Sequence, residues 1–173
     1  RITGHEVVAM IIDLDHFKRS NDVHGHLAGD AVLLEATRRI RSALPERSIV
    51  ARLGGDEFAC AAIYDPDHAD AIDRLVLRIN EQVARPIIVD SLAIEVTASV
   101  GLAATTSPDT CASRELATTL LHRADLAMYQ AKKAGRNGYR WFDASLEREL
   151  QYRNELESGI REGVRAGEFV PFY

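Results

Sequence analysis

Three short stretches of this sequence gather residue types that chemistry needs. Asp13 and Asp15 stand at the end of the apolar run Glu6–Leu14, two residues apart. Alternate side chains of an extended chain share a face, and a buried strand end holds two unpaired carboxylates only at high cost. A cation beside them would offset that cost. A hard divalent ion fits, since Mg²⁺ takes one or two carboxylates and completes its shell with substrate phosphates. The bland alternative is a pair of Asp residues that cap the next turn. A calcium loop does not fit, because its fifth position falls on Phe17 and no glycine directly follows it. The second stretch is Arg52-Leu53-Gly54-Gly55-Asp56-Glu57-Phe58. Paired glycines allow positive φ and leave no Cβ in the way of a ligand approaching the backbone. A Gly-Gly turn can be purely structural, but a turn gains nothing from the charge density of Asp56 and Glu57. The third stretch is Lys132-Lys133-Ala134-Gly135-Arg136-Asn137-Gly138. Lys132 and Arg136, four apart at a helix end, can converge on one anion or simply complement the helix dipole. Together the stretches supply metal-binding carboxylates, a turn open to a nucleotide and cations for a polyphosphate, which are the parts of a nucleotidyl-transfer site.

The elements that must position these residues can be read from periodicity. Glu6–Leu14 is predicted as a strand buried on both faces. Apolar spacing predicts a helix over Ala31–Leu44, stopped by Pro45. Ile49–Arg52 and Glu57–Tyr64 read as short strands joined by the glycine turn. A second helix covers Asp67–Ala84, with Ala71, Leu75, Ile79 and Val83 on one face. Pro86–Asp90 and Ala93–Ala104 are predicted as a second hairpin around Asp90-Ser91. A third helix, Leu116–Lys133, is closed by Gly135, and Tyr139–Phe142 is a last strand. The resulting β-α-β-β-α-β order, extended by a helix and a strand, implies an α/β (α+β) fold with a mostly antiparallel sheet and flanking helices. From Ala144 onward a thin apolar stripe runs between Glu–Arg pairs four apart, such as Glu149–Arg153 and Glu157–Arg161. That pattern describes a solvated connector helix.

The 173 residues suffice for one domain of ordinary size, and 46% apolar with 27% charged residues is a globular balance. A net charge of −5 argues against a nucleic-acid surface but permits a small phosphorylated ligand held by local cations. Cys60 and Cys111 lack metal-type spacing, which points to reduced thiols in the cytoplasm. The apolar run Val7–Ile12 is too short to span a bilayer, so no membrane contact is expected from this segment, although a parent protein could be anchored.

Five stretches together resemble the GGDEF family of diguanylate cyclases: Ile11–Asp22, His24–Asp30, Arg52–Phe58, Thr97–Ala103 and Ala124–Gly138. The resemblance implies a fold like nucleotide cyclases and polymerase palms, and condensation of two GTP into cyclic di-GMP with Mg²⁺, or Mn²⁺ in its place. It assigns metal binding to Asp13, the Leu14 carbonyl and Asp56. Glu57 joins in metal binding or in activating the 3′-hydroxyl. Asn21 and Asp30 match the guanine-binding positions, and Phe17 and Leu33 the lining of the base pocket. Backbone N–H groups at His16, Phe17 and Lys18 would face the phosphates, aided by Lys132 and Arg136, with Gly55 leaving room for the nucleotide. A second GGDEF domain would complete each site as a homodimer. The family's inhibitory Arg-x-x-Asp is replaced by Pro45-Glu46-Arg47-Ser48, so no inhibitory site is expected. The family's opening helix and Asp-x-Leu-Thr motif are also missing, which should weaken catalytic support and dimer geometry. Leu156–Ile160 and Gly167–Tyr173 look like the start of an EAL-type phosphodiesterase domain. The implied organisation is a GGDEF domain over 1–143, with a connector and the start of an EAL domain over 144–173. The alternative is a catalytically silent, GTP-binding regulatory module for that downstream phosphodiesterase.

Overall fold

The computed structural model describes residues 6–105 and 113–167; Cys111 and, of the stretch expected to begin an EAL-type domain, residues 168–173 lie outside them. The chain divides into two compact units, Arg1–Phe142 and Asp143–Tyr173. In the first, β1 (Glu6–Asp15) leads into α1 (Phe17–His24) and α2 (His26–Ala43). The hairpin β2 (Ile49–Gly54) and β3 (Glu57–Tyr64) is next, then a 3-10 turn and α3 (Ala69–Ala84). After it come β4 (Ile87–Val89), β5 (Leu92–Ile94), β6 (Thr97–Ala104), α4 (Ser113–Lys133) and β7 (Gly138–Trp141).

The apolar run of β1 earns it the central place in a five-stranded sheet of order β2-β3-β1-β6-β7. Pairing is antiparallel except between β6 and β7, so the sheet is mixed and mostly antiparallel, as expected. Val8, Met10, Ile12 and Leu14 are fully buried on one face, where the apolar sides of α2 and α3 cover them. Each such side chain contributes about 2 kcal/mol by leaving water. Ala9 and Ile11 face the other way, under Leu120, Ala124 and Met128 of α4. Helix α4 crosses the sheet at Gly101, where a Cβ would lie 1.9 Å from the Ala124 carbonyl oxygen and 2.1 Å from the Met128 nitrogen. That close approach requires glycine and sets the height of α4 over β1.

Two sequence expectations are corrected. The helix predicted from Ala31 begins at His26, and a further helix, α1, precedes it. Gly25, at φ 85° and ψ 163°, separates the two in a conformation glycine favours, and its N–H closes α1 on the Asn21 carbonyl at 2.8 Å. The long strand predicted over Ala93–Ala104 is broken at Glu95–Val96. The β1 ladder ends where Asp15 pairs with Thr97, so the residues before Thr97 have no strand to run beside. They pair instead with β4 in a separate hairpin, turned at Asp90 and Ser91, both at positive φ.

The second unit is α5 (Ala144–Ala166). The Asp143 carboxylate caps it by accepting from the Ser145 N–H at 3.0 Å, and Gly167 closes it at φ 72°. Leu156, Ile160 and Val164 are exposed along it. The Glu149–Arg153 and Glu157–Arg161 pairs involve side chains outside those described. Among the described residues, no helix is long and apolar enough to cross a membrane.

Candidate active site

The carboxylates named from the sequence meet at one end of the sheet. Asp13 pairs with Glu57 across the β1–β3 ladder. One residue on, the Leu14 N–H donates to the Asp56 carbonyl at 3.2 Å, which ties the tip of the β2–β3 turn to the end of β1. The turn is braced from within by Arg52, whose Nε donates to the Gly55 carbonyl at 2.8 Å. Gly55 sits at φ 53°, and a Cβ at Gly54 or Gly55 would meet nothing within 4 Å. At Gly55 the glycine therefore serves backbone conformation, and the space above the turn is open to a ligand.

Charge at this end is unbalanced. Burial pushes the Glu57 carboxyl above its ordinary range, and the charges of Asp125, Asp13 and Asp56 add to the push against Lys132. Asp13 is likewise raised, first by burial, then by Asp56 and Asp15, although Lys132 pulls the other way. The Lys132 ammonium lies 2.7 Å from Asp13 Oδ2. Among the described residues, no three His, Cys, Asp or Glu side chains form a ready-made metal cage. The partial set suits Mg²⁺, which is held by few protein carboxylates together with phosphate oxygens and water.

Asp15 departs from expectation. It is buried and is satisfied by neutral donors, the hydroxyls of Thr97 and Ser99 at 2.7 Å each and the Asn137 N–H at 3.0 Å, so no cation is needed beside it. Lys132 and Arg136 flank the end of α4, as expected. α4 stops at Lys133, and the Arg136 N–H bonds back to the Ala131 carbonyl around Gly135 at φ 118°. This Schellman closure puts Arg136 in the next turn at φ 64°, exposed, while Lys132 turns to Asp13.

α1 is entered from His16, a residue at φ 58° with no side chain capping the helix, and its first turn closes through the Ser20 N–H on the His16 carbonyl. The N–H groups at Phe17 and Lys18 thus lie in the first turn, where a helix offers them to anions. Asn21 Oδ1 is buried without a hydrogen-bond partner. It occupies the place a side chain on Gly29 would take, 1.6 Å from an ideal Cβ there. Asp30 is the next residue of α2 and is exposed. Phe17 and Leu33 are each only 6% exposed and belong to the main core, so they are a floor beneath this region rather than open walls. A cleft of about 270 Å³ adjoins α1, lined by Asp15, His16, Arg19, His24 and Glu95 among others. Larger clefts of about 710 and 660 Å³ lie at the far end of β3 and beside α2, away from the carboxylates.

Sequence reasoning missed Asp125, whose charge acts on Glu57. The available signal was its spacing, seven residues before Lys132, which places both on one face of α4. It also missed Thr97, Ser99 and Asn137 as the partners of Asp15.

A mostly antiparallel sheet with helices on both faces carries the site, with carboxylates at the end of its central strand beside a glycine turn. A family model described as "Diguanylate cyclase, GGDEF domain" matches residues 1–138. The chain is 38% identical over 158 residues to the diguanylate cyclase TpbB of Pseudomonas aeruginosa, covering 91% of this chain and 35% of that protein. It is 37% identical over 166 residues to the cyclic di-GMP phosphodiesterase NbdA of the same species, covering 94% of this chain and 20% of NbdA. It thus spans about a fifth to a third of these relatives. A structure of TpbB comprising only its GGDEF domain superposes with a TM-score of 0.74 at 35% identity, covering 85% of this chain and 83% of that one. The chain belongs to the GGDEF family of diguanylate cyclase domains.

Proposed function

We propose that this domain condenses two GTP molecules into cyclic di-GMP with Mg²⁺. The observation that supports it best is the meeting of Asp13, Asp56 and Glu57 at one strand end, beneath a glycine turn that leaves its upper side open. In this reading Asp13, Asp56 and the Leu14 carbonyl hold the metal. Bound there, Mg²⁺ supplies charge neutralisation at the α-phosphate and acidifies an attacking hydroxyl. The N–H groups at His16, Phe17 and Lys18, with Lys132 and Arg136, receive the phosphates. Asn21 and Asp30 accept from the N1–H and N2 amino group of guanine, donors that adenine lacks, and the unpartnered Asn21 Oδ1 suits that role. Each 3′-oxygen attacks the α-phosphorus of the other nucleotide. Two phosphodiester bonds form, two α–β anhydride bonds break, two pyrophosphates leave, and each hydroxyl gives up its proton. In this reading Glu57, raised above the ordinary carboxylate range, takes such a proton.

A homodimer with a nucleotide on each copy would bring the two reactants together. Residues 144–173 would lead into an EAL-type domain, in a cytoplasmic part of the parent protein. A second reading rests on the match to NbdA, a longer relative named as a cyclic di-GMP phosphodiesterase, of which this chain covers 20%. There the domain binds GTP and regulates a neighbour without making product. The two readings part in one assay, in which two copies are tethered through a fused dimeric coiled coil and given GTP and Mg²⁺. Cyclic di-GMP is expected; tight GTP binding without product would replace the cyclase reading with the regulatory one.

A further inference from the structure

Lys132 has two claims on it: the expected one from a phosphate and the observed one from Asp13. Asp13 is fixed in the central strand, with Glu57 paired to it on one side and Ser99 on the other. The backbone of Lys132 is fixed equally well, by the closure of α4 around Gly135. Only the four-carbon stem and its ammonium remain free to move. The side chains are 28% and 14% exposed, so water screens this pair less than a surface one. Mg²⁺ binds a carboxylate oxygen at about 2.1 Å. With an ammonium already 2.7 Å from Oδ2, the two cations would compete for the same oxygen.

We infer that Lys132 is a placeholder for the metal: its ammonium neutralises Asp13 while nucleotide is absent and moves to phosphate when nucleotide arrives, so that metal and nucleotide bind as a coupled pair. This deepens the metal assignment proposed above and rests on it. Asp13 then always has a cationic partner, and metal is held weakly until phosphate oxygens are present to complete its shell. A lysine suits the exchange better than an arginine, because a point charge on a flexible stem forms no planar two-pronged pair that must be broken. The coupling is reciprocal, so metal must also favour nucleotide to the same degree.

The test titrates the full chain with Mn²⁺ in the absence of nucleotide, reading free ion by electron paramagnetic resonance. Lys132→Met should bind Mn²⁺ at least about five-fold tighter than the wild type, the lower end of ordinary coupling between sites. Lys133→Met removes the same charge one residue away, from an ammonium stacked 5.4 Å over the Tyr129 ring, and should stay within about two-fold of the wild type. Adding GTP should tighten Mn²⁺ binding less in Lys132→Met than in the wild type. Lys132→Gln repeats the measurement should the methionine variant fail to fold. Equal or weaker Mn²⁺ binding in the Lys132 variant overturns the inference, as does an equal gain in Lys133→Met. If neither protein binds Mn²⁺ with or without GTP, the metal assignment falls and the inference with it.

Discussion

Asp15 accepts three hydrogen bonds from β6 and the turn after α4, whereas Asp13, two residues earlier on the same strand, meets one ammonium and repulsion from Asp56 and Asp15. The first carboxylate is a clasp between distant segments; the second is short of positive charge. Asp15→Ala would strand the Thr97 and Ser99 hydroxyls and the Asn137 N–H, and should cost about 2–4 kcal/mol in urea unfolding. Asp15→Asn, keeping one acceptor, should lose less. Glu57 runs the opposite way. Its folded pKa is raised, so the carboxylate form opposes folding once the pH exceeds the ordinary value of 4.5. Glu57→Gln should therefore melt at a higher temperature than the wild type at pH 7, and the gain should vanish below that ordinary value, where Glu57 is protonated in both states. A constant gain across pH would mean packing, not charge, is responsible. Adjacency explains what could be read in advance: Gly54, Gly55, Asp56 and Glu57 are consecutive, so their turn was visible in the sequence. The donors of Asp15 lie 82 or more positions away, beyond any local pattern.

Between elements, α2 and α3 are locked by a single side chain. Arg39, 8% exposed on α2, donates to the carbonyls of Gln82, Val83, Arg85 and Pro86 at the end of α3 and in the turn after it. These include carbonyls that a helix end leaves unpaired. Glu35 steadies the guanidinium from one helical turn back at 2.7 Å and also binds Arg38. Arg39→Met should cost about 3 kcal/mol, because buried acceptors lose their donor. The two arginines hold the Glu35 carboxyl down at about 2. Its contribution is thus complete above the ordinary 4.5 and fades as the pH falls toward about 2. Glu35→Gln should then destabilise at pH 7 and hardly at all near pH 2. The fold order was legible because β1 is continuously apolar and α2, α3 and α4 carry helical spacing. α1 was not, since Lys18-Arg19-Ser20-Asn21-Asp22 shows no apolar period and Gly25 cuts it off from the helical pattern of α2. Nor was the break before Thr97, because only the length of β1 ends that ladder.

At the scale of the whole molecule, the proposed reaction needs more than one copy. In that reaction a single domain would hold one GTP and its metal, but the attacking 3′-hydroxyl would belong to a second nucleotide, which another domain must present. Nothing in the sequence pattern of residues 1–138 announces that partner, since an interface between copies leaves no period along one chain. Where dimers are scarce, their number grows with the square of protein concentration, so doubling the protein should raise the total rate roughly four-fold. Tethering replaces that bimolecular step with an effective concentration on the order of millimolar for a short flexible linker, and the dependence should become linear. Feedback is the accompanying expectation. The family's inhibitory Arg and Asp are replaced by Pro45 and Ser48, which instead form a tight turn, with the Ser48 N–H donating to the Pro45 carbonyl at 3.0 Å. Neither can offer a fixed charge to a dinucleotide. Initial rates of the tethered protein should therefore be nearly the same with and without added cyclic di-GMP. Strong inhibition would mean that another surface of this domain binds the product, and Arg74 and Arg78, which line the 710 Å³ cleft with Pro45, are the first residues to substitute in that event.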